Sequence, residues 1–114
     1  MVYHKEGKNM REDLLKIINT YGINKQLKYI HSEYYELDEA IFLYETDEET
    51  VIPRIEKLHK NNIAEEIADI TVMLKQFQYY YDITDQKVKN IMKEKIERQL
   101  QRIESENVIQ ERNN

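Results

Sequence analysis

A chain of 114 residues, 40% hydrophobic and 34% charged, suggests one domain with a modest core of its own. Its formal charge of -5, from 22 acidic and 17 basic residues, argues against a protein that coats a nucleic acid backbone, though not against a small phosphate ligand held by a few local cations. The absence of Cys excludes disulfides, thiolate zinc sites and cysteine nucleophiles.

The first residues carry no apolar run of the kind a signal peptide needs, and no stretch approaches the roughly 20 apolar residues of a membrane-spanning helix. A soluble cytoplasmic protein is therefore expected, with a flexible N-terminus over residues 1–8. With only 2 Gly and 1 Pro, long helices are allowed. The first is expected over residues 9–20, apolar at Met10, Leu14, Ile17, Ile18 and Tyr21, with Gly22 as its C-terminal cap.

The second is expected over 25–44. Its stripe Ile30, Tyr34, Leu37, Ile41, Tyr44 alternates steps of four and three, the spacing of one buried helical face. Residues 45–53 are acidic and broken by Pro53, so they read as a loop, followed by a short helical turn over 54–60. Asn61 and Asn62 punctuate, and Asn62 is placed to cap a third helix with Glu65 at the capping-box position. That helix reaches residue 80 and carries the stripe Ile63, Ile67, Ile70, Leu74, Phe77. After a turn over 81–83, Thr84 caps a fourth helix to residue 106, apolar at Val88, Met92, Ile96, Leu100 and Ile103. Residues 107–114 read as a polar tail.

No segment alternates as a half-buried strand would. The expected fold is all-α: a four-to-five-helix antiparallel bundle in a single domain over 9–106. The stripes offer more apolar surface than one thin bundle needs, at Ile17/Ile18 and Met73/Leu74 for example. Oligomerisation through helix faces, as a homodimer or homotetramer, is expected to bury the excess.

Two acidic pairs carry the chemistry. Glu33/Glu36 lies on the second helix and Glu66/Asp69 on the third, each member one residue before a stripe position. If the helices pack antiparallel, four carboxylates converge at the rim of one seam. They repel unless a cation sits between them, and a hard divalent cation with oxygen ligands suits such a site. Similar pairs elsewhere, such as Glu45/Glu48 and Glu94/Glu97, are ordinary solvated helix surface; the matched offset on two helices sets the first two pairs apart. Lys95, Arg98 and Arg102 line one face of the fourth helix, apt for phosphate, although neighbouring Glu residues offer them plain salt bridges. Together the carboxylates and cations describe a metal–polyphosphate site. No Ser-His-Asp or HExxH arrangement and no Gly-rich phosphate loop competes with it.

These segments resemble a known family. Glu33-Tyr34-Tyr35-Glu36-Leu37-Asp38-Glu39-Ala40-Ile41 and Glu65-Glu66-Ile67-Ala68-Asp69-Ile70 are similar to the two acidic motifs of the MazG-like, all-alpha nucleoside triphosphate pyrophosphohydrolases. Residues 93–104 are similar to the basic motif on that family's last helix, and the three occur in the family's order. The resemblance implies an oligomer that cuts between the alpha and beta phosphates of a (deoxy)nucleoside triphosphate with Mg2+, or Mn2+ in its place. The products would be a monophosphate and pyrophosphate, the purpose housecleaning or nucleotide-pool control. It makes Glu33, Glu36, Glu66 and Asp69 the metal ligands and gives phosphates to Lys95, Arg98 and Arg102. Water would be activated on a metal with one of the four carboxylates as base or positioning group, Glu36 being the candidate among them. The chain departs from the pattern at Ser32, where the family has a further Glu, and at Lys93, where it often has Asn; the gap between the acidic pairs is long. No ligand position is lost. No nucleic acid polymer or membrane enters this reading. The alternative is a non-catalytic helical oligomer that senses nucleotides or binds a protein partner.

Overall fold

The computed structural model describes residues 8–113, so the expected flexible segment 1–8 lies, apart from Lys8, outside the described residues. Those residues form four α-helices and one 3-10 turn, with no strand among them: α1 Lys8–Tyr21, α2 Ile23–Thr46, the 3-10 turn Glu48–Val51, α3 Pro53–Tyr80 and α4 Asp85–Asn113. The all-α expectation holds. No helix among the described residues is long and apolar enough to cross a membrane. The chain divides into two compact units, one ending at Tyr81 and the other starting at Asp82.

In the first unit α1 and α2 are joined by Gly22 alone. Its backbone sits at φ 90, ψ 151, a region that side chains disfavour, and its N–H donates to the Ile18 carbonyl at 2.7 Å while its own carbonyl accepts from Gln26 N–H at 3.1 Å. One residue thus ends one helix and begins the next.

Residues 54–80 do not fall into a turn and a helix as the Asn61-Asn62 pair suggested. Pro53 stands at the first helical position, where its missing N–H costs nothing, and α3 continues through both asparagines. Asparagine costs at most about 0.7 kcal/mol in a helix interior, too little to break a segment whose two sides both read as helix. Asn62 is therefore not a cap. The break between α2 and α3 is made by Asp47, whose side chain accepts from Glu49 N–H at 2.9 Å and starts the 3-10 turn.

Helices α2 and α3 run antiparallel. From one end to the other, Tyr44 meets His59, Glu36 meets Glu66, Glu33 faces Asp69 and Gln26 meets Gln76. The inward face of α2 is Gln26, Ile30, Glu33, Leu37, Ala40 and Tyr44; that of α3 is Ile63, Glu66, Ile70, Met73, Gln76 and Tyr79. Both differ from the expected stripes. Ile30, Leu37, Tyr44, Ile63, Ile70 and Phe77 do turn inward at least in part, but Tyr34, Ile41, Ile67 and Leu74 are exposed. Two stripes of period 3.5 can share every other member, and apolar content alone chooses the greasier of the two. The seam chose the polar one. Leu14 and Ile18 of α1 supply the most deeply buried aliphatic side chains, Ile18 being 0% exposed.

The second unit is α4. Lys87 N–H donates to Thr84 Oγ1 at 3.1 Å, the expected cap. The helix continues through 107–113, expected as a polar tail, since that stretch holds neither Gly nor Pro. Val88 is half-buried, while Met92, Ile96, Leu100 and Ile103 are exposed.

Candidate metal centre

Residues three apart on a helix share a face, so Glu33/Glu36 on α2 and Glu66/Asp69 on α3 each project together. The antiparallel seam sets one pair against the other. One carboxylate oxygen from each of the four lies within 4.8 Å of every other. All four acids expected from the sequence are thus brought together, although Glu33 and Glu66 stand in the seam itself and not at its rim.

The electrostatics are unfavourable as the residues stand. Glu33 is 4% exposed, and Oε2 of Glu33 and Oε2 of Glu66 are buried without a hydrogen-bond partner. Burial pushes the Glu33 carboxyl above its usual range; a hydrogen bond from the Tyr29 phenol opposes that rise, and the charges of Glu36 and Asp69 add to it. Burial likewise raises Glu66, with Glu36, Asp69 and Glu33 contributing. Through its hydrogen bond and charge, Glu33 in turn raises the Tyr29 phenol. Two orphaned acceptor atoms facing two further carboxylates make a donor set of oxygens only, and this group could hold a metal ion.

Hollows open on both sides of the carboxylates. One, of about 450 Å³ between α1, α2 and α3, is bordered by Glu33 and Asp69 and lined further by Gln26, Gln76, Tyr29 and Met73. The other, of about 210 Å³, is lined by Glu36 and Glu66 together with Glu39, His59 and Asn62. His59 is held there by Asp47, Nε2 to Oδ2 at 2.8 Å, and by the edge of the Tyr44 ring. His59 accordingly sits in a more particular place than its isolation in the sequence suggested, whereas His31 is exposed and outside the carboxylate group.

Lys95, Arg98 and Arg102 lie on α4, in the second unit, all exposed. Tyr35 is exposed; Tyr29 lines the larger hollow. Sequence reasoning missed Gln26 and Gln76. Gln26 precedes Glu33 by seven residues and Gln76 follows Asp69 by seven, so a search for polar residues in heptad register with the acids would have found both.

Comparisons with protein-family models, with curated proteins and with solved structures give no match.

Proposed function

We propose that this chain is a Mg2+-dependent nucleoside triphosphate pyrophosphohydrolase, related to the MazG-like all-alpha enzymes that its acidic and basic segments resemble. The observation that carries the reading is the meeting of four carboxylates from two helices, with two buried oxygens lacking any partner, beside a hollow of about 450 Å³. Pockets for small molecules run from roughly 300 to 1,000 Å³, so a nucleoside fits there.

Glu33, Glu36, Glu66 and Asp69 would hold Mg2+, or Mn2+. When bound, the ion supplies Lewis acidity toward phosphate oxygens and lowers the pKa of water. Glu36 accepts a proton from the attacking water. The water oxygen bonds to the alpha phosphorus as the bond from that phosphorus to the bridging oxygen breaks, and the electron pair leaves with pyrophosphate. Lys95, Arg98 and Arg102 are the candidate holders of phosphate charge.

A second copy of the chain is the partner that the exposed apolar rows favour. Tyr34, Ile41, Ile67 and Leu74 stand outward in the first unit, and Met92, Ile96, Leu100 and Ile103 on α4. The same rows support the alternative reading, a non-catalytic oligomer that senses nucleotides or docks a protein. The experiment that decides is pyrophosphate release from canonical and modified nucleoside triphosphates, with and without Mg2+, by wild type and Glu36→Gln. The enzyme reading expects Mg2+-dependent release that the variant loses. A folded oligomer that releases nothing from any nucleotide refutes it and leaves the non-catalytic reading.

A further inference from the structure

The larger hollow contains a feature that the metal chemistry does not use. Gln26 and Gln76 are both buried, at 6% and 2% exposure, one from α2 and one from α3. Gln26 Nε2 donates to Gln76 Oε1 at 2.8 Å. Both amide nitrogens also approach the Met73 sulfur, at 3.9 and 3.7 Å, and sulfur is a weak acceptor. The pair lines the same hollow as Glu33 and Asp69.

A buried amide pair costs stability unless its groups are used. The single strong bond between the two spends one N–H and one carbonyl lone pair. It leaves Gln26 Oε1 as an acceptor and Gln76 Nε2 as a donor, the latter opposed only by sulfur. If both amides turn over, the bond survives with the roles exchanged, and the pair still presents one donor and one acceptor. Its order adapts while its content does not. Tyr29 lines the same hollow, as do Lys25 and Tyr21, the Lys25 Nζ lying 4.9 Å from the centre of the Tyr21 ring. Neutral amides, aromatic rings and apolar walls suit a flat, uncharged heterocycle with hydrogen-bonding groups on one edge.

We propose that the Gln26–Gln76 pair reads the nucleobase, requiring an adjacent donor and acceptor on its edge but accepting them in either order. This rests on the reading of the carboxylates as the triphosphate site, because the hollow then receives the nucleoside half. A 4-keto pyrimidine offers N–H beside C=O; a 4-amino pyrimidine offers ring nitrogen beside NH2. A pair that can reverse takes both.

The test measures kcat/KM with Mg2+ for deoxyuridine and deoxycytidine triphosphates and for a triphosphate bearing an apolar base of the same shape. Equilibrium binding of the corresponding monophosphates is measured alongside, which requires no turnover. Wild type should treat keto and amino bases within about threefold of each other and disfavour the apolar one by roughly tenfold or more, because its buried polar groups would be left unpaired. In Gln26→Glu the carboxylate can only accept, so Gln76 must turn its NH2 toward it and the pair presents acceptors alone. That variant should prefer the amino base roughly tenfold. Gln76→Met, which keeps the volume and needs no buried charge, should lose base dependence altogether. Turnover with base ratios unchanged in both variants overturns the reader while leaving the enzyme. Monophosphate binding that depends on the glutamines without any turnover supports the reader and overturns the enzyme. Neither turnover nor glutamine-dependent binding overturns both.

Discussion

Replacing Glu33 by Gln should stabilise this protein when metal is chelated and destabilise it relative to wild type when metal is present. The side chain is 4% exposed, its Oε2 has no partner, and Glu36 and Asp69 both face it with like charge. An unpartnered buried acceptor costs about 1–3 kcal/mol, more when charged. The hollow of about 450 Å³ beside Glu33 has room for water, which would screen the repulsion, so the lower half of that range applies, about 1–2 kcal/mol. Gln removes the charge and offers two N–H donors to the neighbouring carboxylates. For a chain of this size the gain corresponds to a Tm raised by roughly 4–8 °C in chelator. Saturating Mg2+ should reverse the order. A ligand at a hundredfold excess over its Kd stabilises by about 2.7 kcal/mol, and a site with one carboxylate charge fewer binds a divalent cation more weakly. Differential scanning calorimetry of both proteins, with chelator and across a Mg2+ titration, measures this. A Glu33→Gln protein that melts below wild type in chelator, or a wild type indifferent to Mg2+ and Mn2+, would show that the carboxylates are not a strained metal centre.

The same carboxylates set a pH dependence. Glu33 and Glu66 bind protons more tightly in the fold than their ordinary 4.5, so their contribution is fully present below that value and is lost as pH rises through the raised folded values. Asp47 is lowered from 3.8, chiefly by its hydrogen bond to His59, so its contribution is present above that value and lost as pH falls through the depressed one. Chelated protein should therefore lose stability from these groups on both sides of pH about 4, and Mg2+ should offset only the loss on the alkaline side; an unchanged alkaline slope in a Glu33→Gln/Glu66→Gln protein would count against this. Gly22→Ala meets no atom within 4 Å, so its cost is backbone strain alone, about 1–3 kcal/mol by chemical denaturation with the helical signal retained. A neutral outcome would mean that the α1–α2 turn relaxes. Ile18→Ala, at 0% exposure, should cost about 2–5 kcal/mol in the same assay, and a loss under 1 kcal/mol would mean that α1 is not held by this side chain.

Helix identities and the four carboxylates were legible in the sequence because both depend on local periodicity. Acids three apart on one helix share a face whatever that helix packs against. The choice between Tyr34 and Glu33, or Ile67 and Glu66, as the inward residue was not local. Hydrophobicity ranks Tyr34 and Ile67 first, yet the seam turned the acids in. Asn61 and Asn62 misled for the opposite reason: their turn preference is genuine but small, and Pro53 had already set the helix start eight residues earlier. Heptad register with the acids marks Gln26 and Gln76 as inward positions, but that they bond each other is not local, because the partner lies 50 residues on.

A seam that buries Gln26, Glu33 and Gln76 while leaving Tyr34, Ile41, Ile67 and Leu74 in solvent is the reverse of what stability alone would select. Swapping faces would take only a rotation of each helix by about one residue, roughly 100°. The apolar faces would then meet, and the acids would stand in water at no cost. The structure instead places apolar weight elsewhere, in Leu14 and Ile18 of α1 and in Met73 and Tyr79 of α3. Arg11 of α1 lies over the Tyr79 ring at 4.7 Å, adding to the hold of α1 on α3. With α1 clamping one end of α3 and Asp47–His59 linking the other end to the turn after α2, Glu33 and Glu66 are kept in the seam while Glu36 and Asp69 stand at its exposed edge. Such a frame sets four like charges close together, an arrangement that could hold a metal ion. On the proposed metal reading, the repulsion relieved by a bound cation would favour the bound state. The outward apolar faces are the counterpart of that choice, so the polar seam and the exposed Tyr34, Ile41, Ile67 and Leu74 follow from one rotation of the same two helices.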